Sequence, residues 1–372
     1  MHTPPIIIAG GGIAGLASAL AVGSHDVLIL EQAQSFSEIG AGLQLGPNAV
    51  RALQKLGAWD AVQPITSSPP EIHMWDGVSG KRFKRLPLGA DFERRFGAPY
   101  RAAHRADLHA ALLEVVKAKP NILIRLNEKI SDVETHIADV SLNANDRQLT
   151  CQALIAADGV RSNIRQSMFA NTATINASAE HHRALLTLPE ISGLAMDCVN
   201  LWMYPHGHVV HYPVGKQQLF NLVAVTPKAI HPSEHFAKAT PRLKNILELA
   251  NTLFTPWPAL YAPQLSTWTK GSLLLLGDAA HGTLPYLAQG AAMALEDAAC
   301  LASVLPTTQS FRHAFAETAQ RRMSRTQQLH RETLQAGQLY HLGRTLAHAR
   351  NAAFQITPPE LIARRLEWLY KG

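Results

Sequence analysis

An apolar run, Ile6 to Ala9, empties directly into Gly10-x-Gly12-x-x-Gly15, and that sequence leaves few folds open. A strand that must turn at once into a small-residue helix needs backbone freedom at the turn and close contact between strand and helix. Gly10 supplies the tight turn, Gly12 lets a pyrophosphate approach the backbone, and Gly15 brings helix against strand. The helix, read from Ile13 to Val22, aims its unpaired N–H groups and positive dipole end at that anion. A second apolar run, Asp26 to Leu30, closes at Glu31. A carboxylate about twenty positions past the first glycine is where a ribose diol is held. This setting predicts a βαβ unit that binds a dinucleotide.

Composition narrows the class. A chain of 372 residues, 47% hydrophobic, buries a sizeable core and predicts two interleaved domains. The N-terminal apolar run has no basic leader and is broken by the glycine turn, so it reads as neither signal peptide nor membrane span. Three cysteines without a C-x-x-C pair, and 18 scattered histidines without an H-E-x-x-H pattern, suit a cytoplasmic protein with no metal site. The formal charge of +6 comes without a dense basic block, which argues against nucleic acid and favours small anions.

Two more segments carry the same strand-to-turn signal. Leu154 to Ala157 ends in Asp158-Gly159, with a helix opening at Asn163; Leu273 to Leu276 ends in Gly277-Asp278 and runs on through Pro285 to Gly290 into a helix from Ala291. Gly290 leaves that helix start open to an electron-rich partner, and Asp278 accepts hydrogen bonds from a polyol.

These three segments together resemble the fingerprints of the group A flavoprotein aromatic hydroxylases, the para-hydroxybenzoate hydroxylase fold. The stretches Gly40 to Asn48, His104 to Leu108, Gly207 to Pro213 and Leu366 to Tyr370 are similar to the branch of salicylate hydroxylase, 3-hydroxybenzoate 6-hydroxylase and 6-hydroxynicotinate 3-monooxygenase. The resemblance implies noncovalent FAD, NADH or NADPH as a transient co-substrate, and O2, with hydroxylation of a small anionic aromatic acid through a flavin hydroperoxide. It sets Ala14 at the pyrophosphate, Glu31 at the adenosine ribose, Arg105 near the pyrophosphate and ribityl chain, and the Ile130 backbone at the adenine. Asp278 falls at the ribityl and phosphate, and Pro285, Leu287, Gly290 and Ala291 at the loop against the isoalloxazine. Gly40 and Gly42 match the loop along which the flavin ring moves, with Gln44 reaching flavin or substrate or simply stabilising the loop. The 3-hydroxybenzoate enzymes carry glutamine where this chain has Pro285, which leans the expectation toward a salicylate-like or hydroxynicotinate-like substrate.

Between the nucleotide-binding pieces, residues 199–225 alternate as strands do. Trp202, Tyr204, His208, Val210 and Tyr212 occupy even positions, which predicts one shared face, with His211 on the other. Electrophilic attack on a phenolic ring is helped by deprotonating its hydroxyl; His208 suits the base and Tyr212 the orienting group. The 6-hydroxynicotinate and 3-hydroxybenzoate enzymes have His and Tyr at this same spacing. A strand histidine is more often simply hydrogen-bonded within its sheet, and His281 after Gly277-Asp278 reads as a loop-fixing residue.

The expected architecture is α/β. A Rossmann-like FAD domain with an inserted β-meander occupies 1–68, 99–172 and 266–335. A mostly antiparallel substrate sheet occupies 69–98 and 173–265, and a helical tail 336–372. Pro69-Pro70 and the Ser/Glu/His-rich stretch at 178–182 read as boundary signals. A monomer or homodimer is expected. Two other readings are an FAD-dependent epoxidase or oxidoreductase of a non-aromatic substrate, and a non-catalytic flavin-binding redox sensor.

Overall fold

The strands Ile6–Ala9, Val27–Leu30 and Ala153–Ala156 are buried at every residue, as strands covered on both faces must be. They belong to a computed structural model that describes residues 5–36, 41–170, 172–187, 194–215 and 219–371. Their sheet runs in the order Thr269–Lys270, Leu273–Leu275, Ala153–Ala156, Ile6–Ala9, Val27–Leu30, Ile122–Arg125 and is parallel apart from the first strand. In-register pairing of Ile6 with both Val27 and Ala153 brings the carboxyl ends to one edge. Gly10, Glu31, Asp158 and Gly277 therefore leave the sheet on the same side, where ligands of open α/β sheets bind. An antiparallel meander, Ile130–Thr135, Val140–Ala144 and Arg147–Cys151, is inserted before the strand Ala153–Ala156.

A second sheet of seven strands roofs this edge, in the order Thr255–Tyr261, Ile175–Thr187, Leu219–Pro227, Gly207–Val214, Val199–Tyr204, Glu71–Asp76, Arg82–Pro87. Only the Val199–Tyr204 and Glu71–Asp76 pair is parallel. Three expectations need correction. The stretch at 178–182 is no boundary; it lies inside the strand Ile175–Thr187. The division at 335/336 cuts the unbroken helix Phe311–Tyr340, whose buried positions recur every three or four residues along one face. The shared even-numbered face fails as well. Pro205 and His206 form a two-residue turn, so Met203 pairs with His208 and Trp202 with Val209. Directly paired residues share a face; Leu201 and Met203, not Trp202 and Tyr204, stand beside His208 and Val210. His211 does point the other way, accepting a hydrogen bond at Nε2 from Trp202 Nε1 at 2.9 Å.

After Tyr340 the chain continues in the helices Arg344–Ile356, Pro359–Arg365 and Glu367–Tyr370. No helix of the described residues is long and apolar enough to cross a membrane.

Candidate active site

The phosphate turn is built as its glycines require. A Cβ on Gly15 would sit 1.9 Å from the Gly10 carbonyl oxygen, so only glycine lets the helix Ile13–Ala21 lie on the strand. A Cβ on Gly12 would meet nothing within 4 Å, and no side chain caps the helix that starts there. The helix start thus keeps its N–H groups for an outside acceptor. The Glu31 carboxylate accepts hydrogen bonds from Gly11 N at 2.7 Å and Ala33 N at 2.8 Å, which fixes it beside the turn with lone pairs to spare.

The other two fingerprints converge on the same place. Gly277 adopts φ +61°, and a Cβ there would lie 2.9 Å from the Ala14 Cβ, so the Gly277-Asp278 turn touches the first helix. Asp158 Oδ2 accepts from Ile164 N at 3.3 Å, whereas its Oδ1 is buried without a partner, and burial pushes this carboxyl above the usual range. Asp278 is exposed and faces the start of the helix Gly290–Val304, which no side chain caps. Arg105 opens the helix Arg105–Lys117, tied through its N–H to Ala41 O. Ile130 begins the meander and packs on the main core, and Ala291 follows Gly290 in the first turn of its helix. Gly40 lies outside the described residues. Uncapped helix starts, open space above Gly12 and an orphaned acceptor on Asp158 fit a pyrophosphate flanked by polyol.

A buried ionic network holds this floor. His281 Nε2 is 2.5 Å from Asp297 Oδ2, Arg322 donates to Asp297 at 2.7 Å and to Glu296 at 2.6 Å, and Asn48 bridges Glu296 to Gln289. His281 is thereby a loop-fixing residue, as its place in the sequence suggested.

Beyond the floor lies a cavity of about 510 Å³ with mostly apolar walls. Its sides are the loop Pro285 to Ala288, Gln44 and Tyr100, the sheet residues Leu201, His208 and Val210, and the C-terminal helices. His208 is buried; its Nδ1 meets His341 Nε2 at 2.8 Å, and its ring abuts Tyr286 edge-on at 5.6 Å. Burial, reinforced by His341 and His181, holds its pKa well below the usual histidine range, so it stands neutral. Tyr212 shares the strand but does not line the cavity. It is buried against Gly42, where a Cβ would come 2.9 Å from its ring, and bonds to Gln44; burial raises its phenol pKa. Gln44, which does line the cavity, also accepts from the Tyr100 hydroxyl.

No sequence motif points to Tyr100 or His341; the stretch Leu366 to Tyr370, whose place in the fold the sequence does not reveal, supplies cavity-lining Trp368, Leu369 and Tyr370. The one possible metal cluster among the described residues, Glu71, His73 and Cys198, does not line this cavity, although the neighbouring Ile72 and Val199 do, and Glu71 is already paired to Arg85.

This geometry defines a flavoprotein: a dinucleotide-binding edge whose third fingerprint leads straight into a loop walling a separate ligand cavity. A profile described as FAD binding domain matches residues 3–310, and the chain belongs to that family. It is 31% identical over 383 residues to 3-hydroxybenzoate 6-hydroxylase of Polaromonas naphthalenivorans (strain CJ2), covering 98% of this chain and 95% of that one. It is 33% identical over 331 residues to 6-hydroxynicotinate 3-monooxygenase of Bordetella bronchiseptica (strain ATCC BAA-588 / NCTC 13252 / RB50), covering 84% and 85%. Among solved structures, Klebsiella pneumoniae HpxO complexed with FAD and uric acid superposes with a TM-score of 0.87 at 22% identity, over 98% of this chain and 96% of that one. The chain is an FAD-dependent monooxygenase of the aromatic hydroxylase type, and the epoxidase and redox-sensor readings are not favoured.

Proposed function

We propose that the protein hydroxylates a small aromatic acid carrying a ring hydroxyl, a hydroxybenzoate or hydroxynicotinate, with NADH or NADPH and O2 as co-substrates. The observation that carries this reading is His208: a buried, neutral imidazole on the wall of an apolar cavity that faces the Pro285 to Ala288 loop. Relatives named for 3-hydroxybenzoate and 6-hydroxynicotinate support the substrate class.

Each set of residues has its task. Gly10, Gly12, Ala14 and Gly15 cradle the FAD pyrophosphate with helix N–H groups. Glu31 takes the ribose, Arg105 and Asp278 the pyrophosphate and ribityl chain, and Ile130 the adenine. Asp158, with its orphaned oxygen, completes the polyol contacts. Gly42, Gln44, Pro285, Leu287, Gly290 and Ala291 bound the ring. When bound, FAD would supply the redox chemistry, by which hydride from NAD(P)H and O2 give one oxygen atom on the substrate ring and the other as water. His208 accepts the substrate's hydroxyl proton and leaves the ring electron-rich, while Tyr212 acts through Gln44 to hold the ring-facing loop. The apolar walls exclude water from the reacting centre.

The test is direct. Purified protein is expected to be yellow with extractable FAD, and one of salicylate, 3-hydroxybenzoate or 6-hydroxynicotinate to accelerate NAD(P)H oxidation and yield a ring-hydroxylated product. Colourless protein that takes up no FAD overturns the reading.

A further inference from the structure

We infer that His341 is the outer member of a two-histidine relay that carries the substrate's hydroxyl proton from His208 out of the cavity. The inference rests on the hydroxylation proposed above. The Nδ1 of His208 and Nε2 of His341 lie 2.8 Å apart, with ring centroids 5.1 Å apart and planes inclined by 26°. His208 lines the cavity, and the bond to His341 is made at Nδ1, leaving Nε2 for a ligand. His341 does not line the cavity. It closes the carboxyl end of the helix Phe311–Tyr340, where its N–H bonds Gly337 O at 3.1 Å and its carbonyl accepts from His206 N at 3.0 Å. His341 is only partly buried and the adjoining His206 is exposed, so the pair runs from the cavity wall to the outside of the protein.

The surroundings explain why one histidine does not suffice. An imidazolium at His208 would sit in a dry wall. The groups facing the pair are His181 from the strand Ile175–Thr187, Tyr286 from the loop, Tyr340 of the same helix, His206 from the hairpin turn, His235 from the helix Pro232–His235, and Arg350 from the helix Arg344–Ile356. None is a carboxylate; Asp76 stands behind Arg350, tied to Asn351, and Glu332 lines the cavity without bonding to either histidine. A proton taken up by His208 has no counter-charge to hold it there. His341 stands one ring further out and is only partly buried, so a proton handed to it reaches water without either ring having to stay charged.

The transfer balances. The substrate O–H passes its proton to His208 Nε2, the Nδ1 proton of His208 passes to His341 Nε2, and the Nδ1 proton of His341 goes to water. Both rings end neutral in the opposite tautomer, the substrate is left as phenolate, and one proton appears in solution. Its return to the product's oxygen resets both rings.

The experiment mixes FAD-loaded enzyme with 3-hydroxybenzoate, salicylate or 6-hydroxynicotinate in weak buffer, and follows proton release with an indicator and phenolate formation by absorbance. Wild type, His341→Ala and His341→Gln are compared after FAD content and substrate affinity are shown to match. Both variants are expected to release the proton about tenfold or more slowly, with the rate restored as free imidazole is added. Release as fast as wild type in either variant overturns the relay, as does a loss that imidazole restores in neither, which marks a structural role. Wild-type NAD(P)H oxidation is measured first: stimulation without relay behaviour in the variants overturns the relay alone, whereas no stimulation by any of the acids overturns the hydroxylase reading and the relay with it.

Discussion

The imidazole of His281 and the carboxylate of Asp297 meet at 2.5 Å in the buried floor of the flavin site, with Arg322 on the carboxylate's other oxygen at 2.7 Å. Asp297 also accepts from Gly277 N at 3.2 Å, so one carboxylate joins the Gly277-Asp278 turn to the helices Gly290–Val304 and Phe311–Tyr340. Burial raises its pKa, but His281 and Arg322 outweigh that and hold it below the usual range. Replacing Asp297 by Asn leaves Arg322 without its partner there and is expected to cost about 3 to 5 kcal/mol, read as a fall in urea midpoint. In wild type this contribution is present above the unfolded carboxylate pKa of about 4 and is lost as pH falls through the lower folded value.

Buried histidines set a second pH limit. Burial lowers His181 and His211 to about 3 and His341 to about 4, and puts His208 well below the usual range. The unfolded chain binds these protons near pH 6.5, the folded one only at lower pH, so stability is full above about pH 6.5 and declines as pH falls toward 4. Urea melts at successive pH values are expected to show that decline; a flat profile between pH 7 and 5 would contradict it.

Two neighbouring glycines separate packing from ligand binding. Gly15→Ala drives a Cβ into the Gly10 carbonyl, so both stability and FAD affinity are expected to fall. Gly12→Ala enters open space and should leave the melting temperature of the FAD-free protein unchanged, while weakening FAD by roughly tenfold or more, about 1.4 kcal/mol. Calorimetry of FAD binding to each variant checks this, and equal affinity in Gly12→Ala and wild type would remove the pyrophosphate from that spot.

Such contrasts show why the nucleotide half was readable in advance. A phosphate turn demands glycine at fixed spacing, and buried parallel strands are near-continuous apolar runs, so Ile6 to Gly15 and Leu273 to Asp278 announce themselves. The substrate half does not. Face parity holds along one strand but reverses across a two-residue turn, because Tyr204 pairs with Gly207 and even residues then stand opposite odd ones. That misplaced Trp202 and Tyr204, although His208 and His211 were sorted correctly on their own strand. The tail was harder still. No periodicity in residues 359–370 says which surface the helices cover, and the answer lies in long-range ties such as Arg325 to the carbonyl of Leu369 at 2.7 Å.

Those ties lead to a prediction about coupling. Arg325 bonds Glu296 through Nε at 2.6 Å and Nη2 at 2.8 Å, and also donates to the carbonyls of Trp368 and Leu369. Arg51 donates to the Tyr370 carbonyl, and Arg95 to Glu367 at 2.9 Å. Trp368, Leu369 and Tyr370 all line the cavity, so one guanidinium joins the floor to the cavity's far wall. Arg325→Met keeps a long apolar stem while deleting the donors, and the last turn should detach more readily. The FAD content is expected to stay near wild type because Arg322 still holds Glu296 and Asp297. KM for the aromatic acid should rise about tenfold, an effect of about 1.4 kcal/mol. With the wall open to water, more NAD(P)H should be oxidised per product formed. Measuring hydroxylated product against NAD(P)H consumed decides the matter: an unchanged ratio with unchanged KM would show that the tail wall holds its place without Arg325.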